Sequence, residues 1–407
     1  MFPAEFNNYK IRIKDKPYQA VTGEQYANTA AISFLNEKNQ EISFIELGYI
    51  SADEIYQSIA EGKALTLDYA FIENFSLADY RKKYNLPANE SVVLNTFSAK
   101  SSVFLSNTVN DFKNAVFSKG SACFESVLFI KGEVFFDECM FEDGSVNFNT
   151  AIFVNGNVSF YNANFVKGEV NFKNCHFGNG FKNFQYAFWG NDDILFSNTI
   201  FENGNISFVN CSFGDGELSF KVCEFGKGNI DFKFAIFGNV NVNFERAVIG
   251  EGTVDFGKTE FGNSKLNFNK SQWSNAQLIF NESQMLEGKM LFKQLFLKNS
   301  AIQFDEAVFP KTVISFNRSI FEDTSVSFFK ADVQELSFET CQLNNYCDLR
   351  LKHCELLDLS NAFVRDIVDL SLEENPTAIK QLNIFGTRLL GRFFISWKTN
   401  NVPNPYY

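Results

Sequence analysis

The chain has 407 residues, a net charge of -12 and a pI near 4.9. An acidic balance argues against general nucleic-acid binding, which needs Lys and Arg to displace counterions, but it permits a protein that imitates nucleic acid. Phe is the compositional outlier, with 51 copies against 13 Tyr and 3 Trp, and so many large apolar rings need one long interior.

The start of the chain, Met1 to Lys16, carries charges and no apolar h-region, so no signal peptide is expected. No apolar run approaches the roughly 18 residues of a membrane span. Residues 1–63 are non-repetitive and predict a small mixed α/β cap. Strands are expected near Tyr9 to Ile13 and Glu41 to Leu47, and helices near Glu24 to Asn36 and Ala52 to Glu61. Ser51 with Glu54 forms a capping-box pattern, and Gly62 is a C-terminal stop. Residues 64–111 read as first irregular coils. A short helix from Ser76, an N-cap candidate with Asp79 three residues on, interrupts them before pairing resumes near Val92.

From Phe112 to Phe328 a Phe recurs every twelve residues without a miss, nineteen positions in all. A fixed period of this kind is the signature of a stacked-coil architecture. An aliphatic usually stands two residues before the reference Phe, as in Val134, Val146, Val158 and Ile194. A small residue follows three later, as in Cys139, Ala151, Ala163 and Cys175, and a second large apolar residue five later, as in Phe141, Phe153, Phe165 and Trp189. Apolar residues two apart point to one side of an extended chain. Each twelve-residue unit is therefore two short faces, and Gly four residues before the reference Phe (Gly132, Gly144, Gly168) allows φ > 0 at a corner. Two faces would meet with no room for the rings; four faces, or about 24 residues, make a box that holds them. The regular solenoid is assigned to residues 112–333.

After Phe328 the register slips by two residues: Leu336, Phe338, Cys341 and Leu343 restore the pattern with fewer Phe, and Leu349, Leu351, Cys354 and Leu356 continue it. Residues 334–395 thus predict narrower terminal coils, broken by an acidic loop at Glu373 and Glu374, and residues 396–407 a tail. Lys380, Arg388, Arg392 and Lys398 make this end locally basic; a solvated capping coil is the preferred reading over contact with anionic lipid.

Alternating small and large inward residues, as in Ala151-Ile152-Phe153 and Ala163-Asn164-Phe165, resemble the pentapeptide-repeat proteins. The resemblance implies an all-β solenoid, a right-handed four-sided parallel β-helix. The spacing of five then seven residues departs from the family's even five. The helix, Gly and first coil resemble the start of bacterial members, many of which carry a membrane or channel-like C-terminal part. Some relatives inhibit type II topoisomerases by mimicking DNA, and the interleaving of Lys113, Lys173 and Lys221 with Glu125, Asp137 and Asp305 weakens that implication here.

Little in the chain points to chemistry, and an enzyme, a cofactor and a metal are not expected. His176 should point outward. Cys341, Cys347, His353 and Cys354 are the one cluster to weigh for metal, but Cys341 and Cys354 fall on the small inward position, where packing explains them. Cys139, Cys175, Cys211 and Cys223 fall on the same position, so the eight Cys predict no disulfide framework, a reducing compartment and a cytoplasmic location. One outward position is often apolar: Ile152, Phe188, Ile200, Ile236, Val248, Phe296, Val308 and Ile320. Residues 24 apart should stack, so Ile152, Ile200, Val248, Phe296 and Ile320 are the candidate interface for another copy or a protein partner. The expected function is a non-enzymatic scaffold, with a DNA mimic and the soluble part of a channel-like protein as alternatives.

Overall fold

The computed structural model describes residues 2–3, 6–118, 120–154, 157–371 and 378–395. The chain is an all-β parallel β-solenoid of about 14 turns, each near 24 residues. Among the described residues it has two helices. It divides into two compact units, Met1–Asn229 and Ile230–Tyr407.

The first unit opens with an antiparallel sheet in which Asn28–Leu35 lies between Asn8–Lys14 and Glu41–Ser51. The helix expected near Glu24 to Asn36 is therefore a strand. Six of its eight residues are buried, so it lacks the alternation that marks a half-buried strand, and a short apolar run does not distinguish the two conformations by period. The helix Ala52–Ala60 follows with the capping box formed as expected: Glu54 N–H donates to Ser51 Oγ, and Ser51 N–H to the Glu54 carboxylate. Ser76 caps the second helix, Leu77–Lys83. Glu41–Ser51 pairs in parallel with Ala70–Glu73, which in turn pairs with Val103–Asp111. The sheet thus hydrogen-bonds to the edge of the first coil, which would otherwise present unpaired groups.

Beyond residue 111 the coils are regular. One turn contains Val146–Asn147, Ile152–Phe153, Val158–Ser159 and Asn164–Lys167. Each pairs with the segment 24 residues on: Val146 with Val170, Ile152 with His176, Val158 with Lys182, and Asn164 with Phe188. The box therefore has four walls. Its corners are of two kinds. The longer one uses Gly at positive φ; a Cβ on Gly168 (φ 105°) would lie 2.6 Å from the backbone of Gly144 below it. The shorter one is closed by Ala151 N–H donating to Phe148 O, with Thr150 at φ 60°, as a type II turn requires. Asn162, Asn174, Tyr186, Asn198 and Val222 occupy the same left-handed position in other repeats.

All nineteen reference Phe side chains are fully buried. They form ladders with coil-to-coil stacking, Phe124 on Phe148 at 4.6 Å and 3°, and Phe148 on Phe172 at 4.9 Å and 8°. The ladder twelve residues out of phase meets them edge to face, Phe136 to Phe148 at 5.5 Å and 83°. This is the geometry the ring quadrupole favours. The second large column stacks likewise, Phe141 on Phe165 at 4.7 Å and 1°.

The second unit repeats the plan. Phe256 stacks on Phe280 at 4.9 Å and Phe280 on Phe304 at 4.8 Å. Toward its end the turns shorten: Ile320 pairs with Gln342, 22 residues on, and Val326 with Cys347, 21 on. The register slip after Phe328 is thus a shortening of the turn; Phe338 still stacks on Phe316 at 5.0 Å, and buried Leu349 takes the next reference position. Glu373, Glu374 and the tail 396–407, with Lys398, lie outside the described residues.

Candidate protein-interaction faces

The outward apolar positions sit mid-wall, between two inward side chains, and the coil register stacks them. In the first unit Leu128 pairs with Ile152, Ile152 with His176, and His176 with Ile200. The start of this column is already covered. Leu128 is fully buried in a cluster with Ile32 and Phe34 of the N-terminal sheet, and half-buried Ile152 packs against that cluster. Ile200 is 42% exposed. His176 stands in this outward column, half-buried, with its Nε2 2.8 Å from the Glu202 carboxylate.

In the second unit Val248 pairs with Gln272, Gln272 with Phe296, and Phe296 with Ile320. Val248 and Phe296 are 41% and 44% exposed, and Ile320 is half-buried. Of the five candidate residues, the structure sets Ile152 and Ile200 on one column of the first unit and Val248, Phe296 and Ile320 on one column of the second. Phe188, Ile236 and Val308, apolar at the same repeat position, lie on other walls and are likewise exposed. Leu286, 72% exposed, was not singled out from the sequence. It follows the inward Met285 directly, and apolar residues at that position are the signal that could have found it.

The small inward column does more than fill space. Cys139 Sγ donates to Phe112 O at 3.0 Å, Cys175 Sγ to Phe148 O at 3.0 Å, and Thr199 Oγ1 to Phe172 O at 2.6 Å. Each reaches the turn carbonyl of the coil before it. Burial pushes these thiols up, Cys211 and Cys223 to about 12, so they stay protonated and inert. All eight Cys are free thiols, and only Cys123 is not buried. In the cluster weighed for metal, Cys341 Sγ donates to Phe316 O, Cys354 Sγ to Leu356 O, and His353 contacts Asp332 and Glu355. Among the described residues no group of His, Cys, Asp and Glu could hold a metal ion.

Lys182 breaks the aliphatic column between Val158 and Ile206. Its ammonium is buried and donates to Gly178 O at 2.5 Å and Gly180 O at 3.0 Å. Burial lowers its pKa to about 8, with Glu202 opposing. At the C-terminal end Lys380 is paired with Glu355 at 2.6 Å, while Arg388 and Arg392 are exposed.

The coil register, four walls and ring ladders place the chain among the parallel β-solenoids. It matches no family model, no curated protein and no solved structure.

Proposed function

We propose that the protein is a non-enzymatic scaffold whose flat walls bind a protein partner or a second copy. The observation that carries this reading is the apolar column of the second unit, exposed at Val248 and Phe296 and half-buried at Ile320, aligned by strand register with only Gln272 between. The first unit supports it by example: the equivalent column there is covered by the chain's own N-terminal sheet at Leu128 and Ile152. Apolar residues repeated on one wall make a contiguous patch rather than scatter. The 24-residue register with small and large inward residues supports a relationship to pentapeptide-repeat proteins, in a variant with a twelve-residue double-face unit. Eight free thiols support a reducing, cytoplasmic setting.

The DNA-mimic reading fares less well. Some carboxylates along the walls are paired with lysines, with Lys113 at 3.1 Å from Asp137 and Lys233 at 3.2 Å from Asp231. A mimic needs an unneutralised row. Among the described residues no helix is long and apolar enough to cross a membrane.

The test is sedimentation velocity and cross-linking mass spectrometry of the full chain against the double variant Val248→Lys, Phe296→Lys. The scaffold reading expects self-association, or stoichiometric capture of a defined partner, with cross-links on this wall that the variant loses. A monomer with the same partners in both proteins would refute it.

A further inference from the structure

A cavity of about 550 Å³ opens in the first unit where the N-terminal sheet leaves the coils. Its size falls within the roughly 300–1,000 Å³ of small-molecule sites. The N-terminal segment supplies Phe2, Tyr18, Ile45 and Leu47, and the coils add Ile152, so part of the lining is apolar and aromatic.

The rest is a ladder of hydroxyls. Tyr69, Ser101, Ser126 and Thr150 line the cavity from successive coils, one per layer at the same corner. Each sits at positive φ, 55°, 54°, 56° and 60°. None is Gly or Asn, the residues that adopt this conformation readily, so the hydroxyls are held there at some cost in strain. The coil register fixes the ladder: Tyr69 N–H donates to Lys100 O, Ser101 N–H to Glu125 O and Ser126 N–H to Asn149 O. Ser126 and Thr150 hydroxyls lie 2.7 Å apart.

The charged groups of the lining are already matched. Lys100 lies 3.1 Å from Glu125, and Glu46 lies 2.5 Å from Lys14. A free ion would have to break these pairs, whereas a neutral ligand can hydrogen-bond to their remaining lone pairs. Burial and the nearby Tyr69 and Glu46 hold the Tyr18 phenol above its ordinary range, so it remains a neutral donor and acceptor.

We propose that this cavity binds a neutral carbohydrate, a mono- or disaccharide, whose C–H face lies on the apolar lining and whose hydroxyls meet the Tyr69–Ser101–Ser126–Thr150 ladder and the paired carboxylates. Aromatic and aliphatic surface beside a row of uncharged donors and acceptors matches the two-faced character of a pyranose ring. Thr150 Oγ1 donates to Asn149 O and pairs with the Ser126 hydroxyl, which leaves lone pairs there to accept from a sugar's hydroxyls, a contact that an apolar ligand cannot make.

The full-length chain is titrated with glucose, galactose, mannose, N-acetylglucosamine, maltose, cellobiose and lactose, followed by saturation-transfer NMR and calorimetry. At least one sugar should bind saturably at about 1 mM or tighter. Ser126→Asn, which tolerates the same φ but fills the cavity, and Glu46→Gln should each weaken it by about tenfold or more, with unchanged circular dichroism. If Ser126→Asn does not fold, Glu46→Gln alone decides. No saturable binding by any of these sugars at about 10 mM, or equal binding by the wild type and the folded variants, would overturn the proposal.

Discussion

Replacing Phe148 by Ala tests what the ring ladders contribute. Phe148 is fully buried. It stacks on Phe124 at 4.6 Å and Phe172 at 4.9 Å, and meets Phe136 and Phe160 edge-on at 5.5 Å and 5.7 Å. Losing the transfer energy of the ring removes roughly 2–3 kcal/mol. The cavity left between two layers raises a Phe→Ala loss to about 3–5 kcal/mol. Neighbours cannot collapse into the space without breaking the inter-coil hydrogen bonds on either side, so about 4 kcal/mol is expected. Phe148→Leu keeps most of the apolar volume and should lose only about 1.5 kcal/mol. The control is Phe234→Ala, a half-exposed Phe at φ 59°, for which a change within about 0.5 kcal/mol is expected. Solenoid repeats contact only their neighbours, so damage should be local. Hydrogen exchange read by mass spectrometry should show protection lost in residues 120–177 and retained near the C-terminal coils. If Phe148→Ala matches Phe234→Ala in both stability and exchange, the ladders are not what holds the coils.

Three further outcomes follow from particular side chains. Val222 is β-branched and half-exposed at φ 60°; Val222→Asn should therefore stabilise by about 1 kcal/mol in urea unfolding. Unfolded Lys182 holds its proton until about pH 10.5, whereas the buried ammonium releases it near 8. The unfolded state then binds more protons between those values, and stability contributed by this residue rises across that window. The difference in unfolding free energy between wild type and Lys182→Met should shift by about 3 kcal/mol from pH 7 to pH 10.5, and a flat difference would count against the buried ammonium. Finally, an aromatic disulfide reagent under native conditions should modify Cys123 first, with the other seven thiols reacting only as the chain opens.

Much of the fold was legible because the twelve-residue Phe period couples directly to burial: a side chain that recurs every half-turn has one place to go. The capping box at Ser51 and the N-cap at Ser76 were legible because their chemistry is local. The strand Asn28–Leu35 was not, since both of its faces are buried, one of them against Phe71, Val103 and Leu128, and this erases the alternation that would have marked it. The left-handed corner was missed for a different reason. Gly announces one corner in many repeats, but the other is occupied by Asn, Thr, Tyr and even Val, and only the recurrence of Asn two residues after the reference Phe (Asn114, Asn162, Asn174, Asn198, Asn210) hints at it. The apolar column was visible as a spacing, yet the covering of Leu128 and Ile152 by the N-terminal sheet depends on long-range packing that no local pattern encodes. The hydroxyl ladder was hidden by the irregular first coils, where an inserted helix separates Tyr69 from Ser101.

The central claim, four walls and 24 residues per turn, is tested most directly by spin labels on the outer walls of the first unit. With Cys123 replaced by Ser, nitroxides are attached at positions 188 and 212, or at 188 and 200, and dipolar broadening is recorded. Phe188 pairs with Ser212 in adjacent coils, while Ile200 belongs to a different wall, paired with His176. The account predicts strong broadening for 188 with 212 and none comparable for 188 with 200. Strong coupling of 188 with 200, and weak coupling of 188 with 212, would mean that the chain winds once in twelve residues and would contradict it.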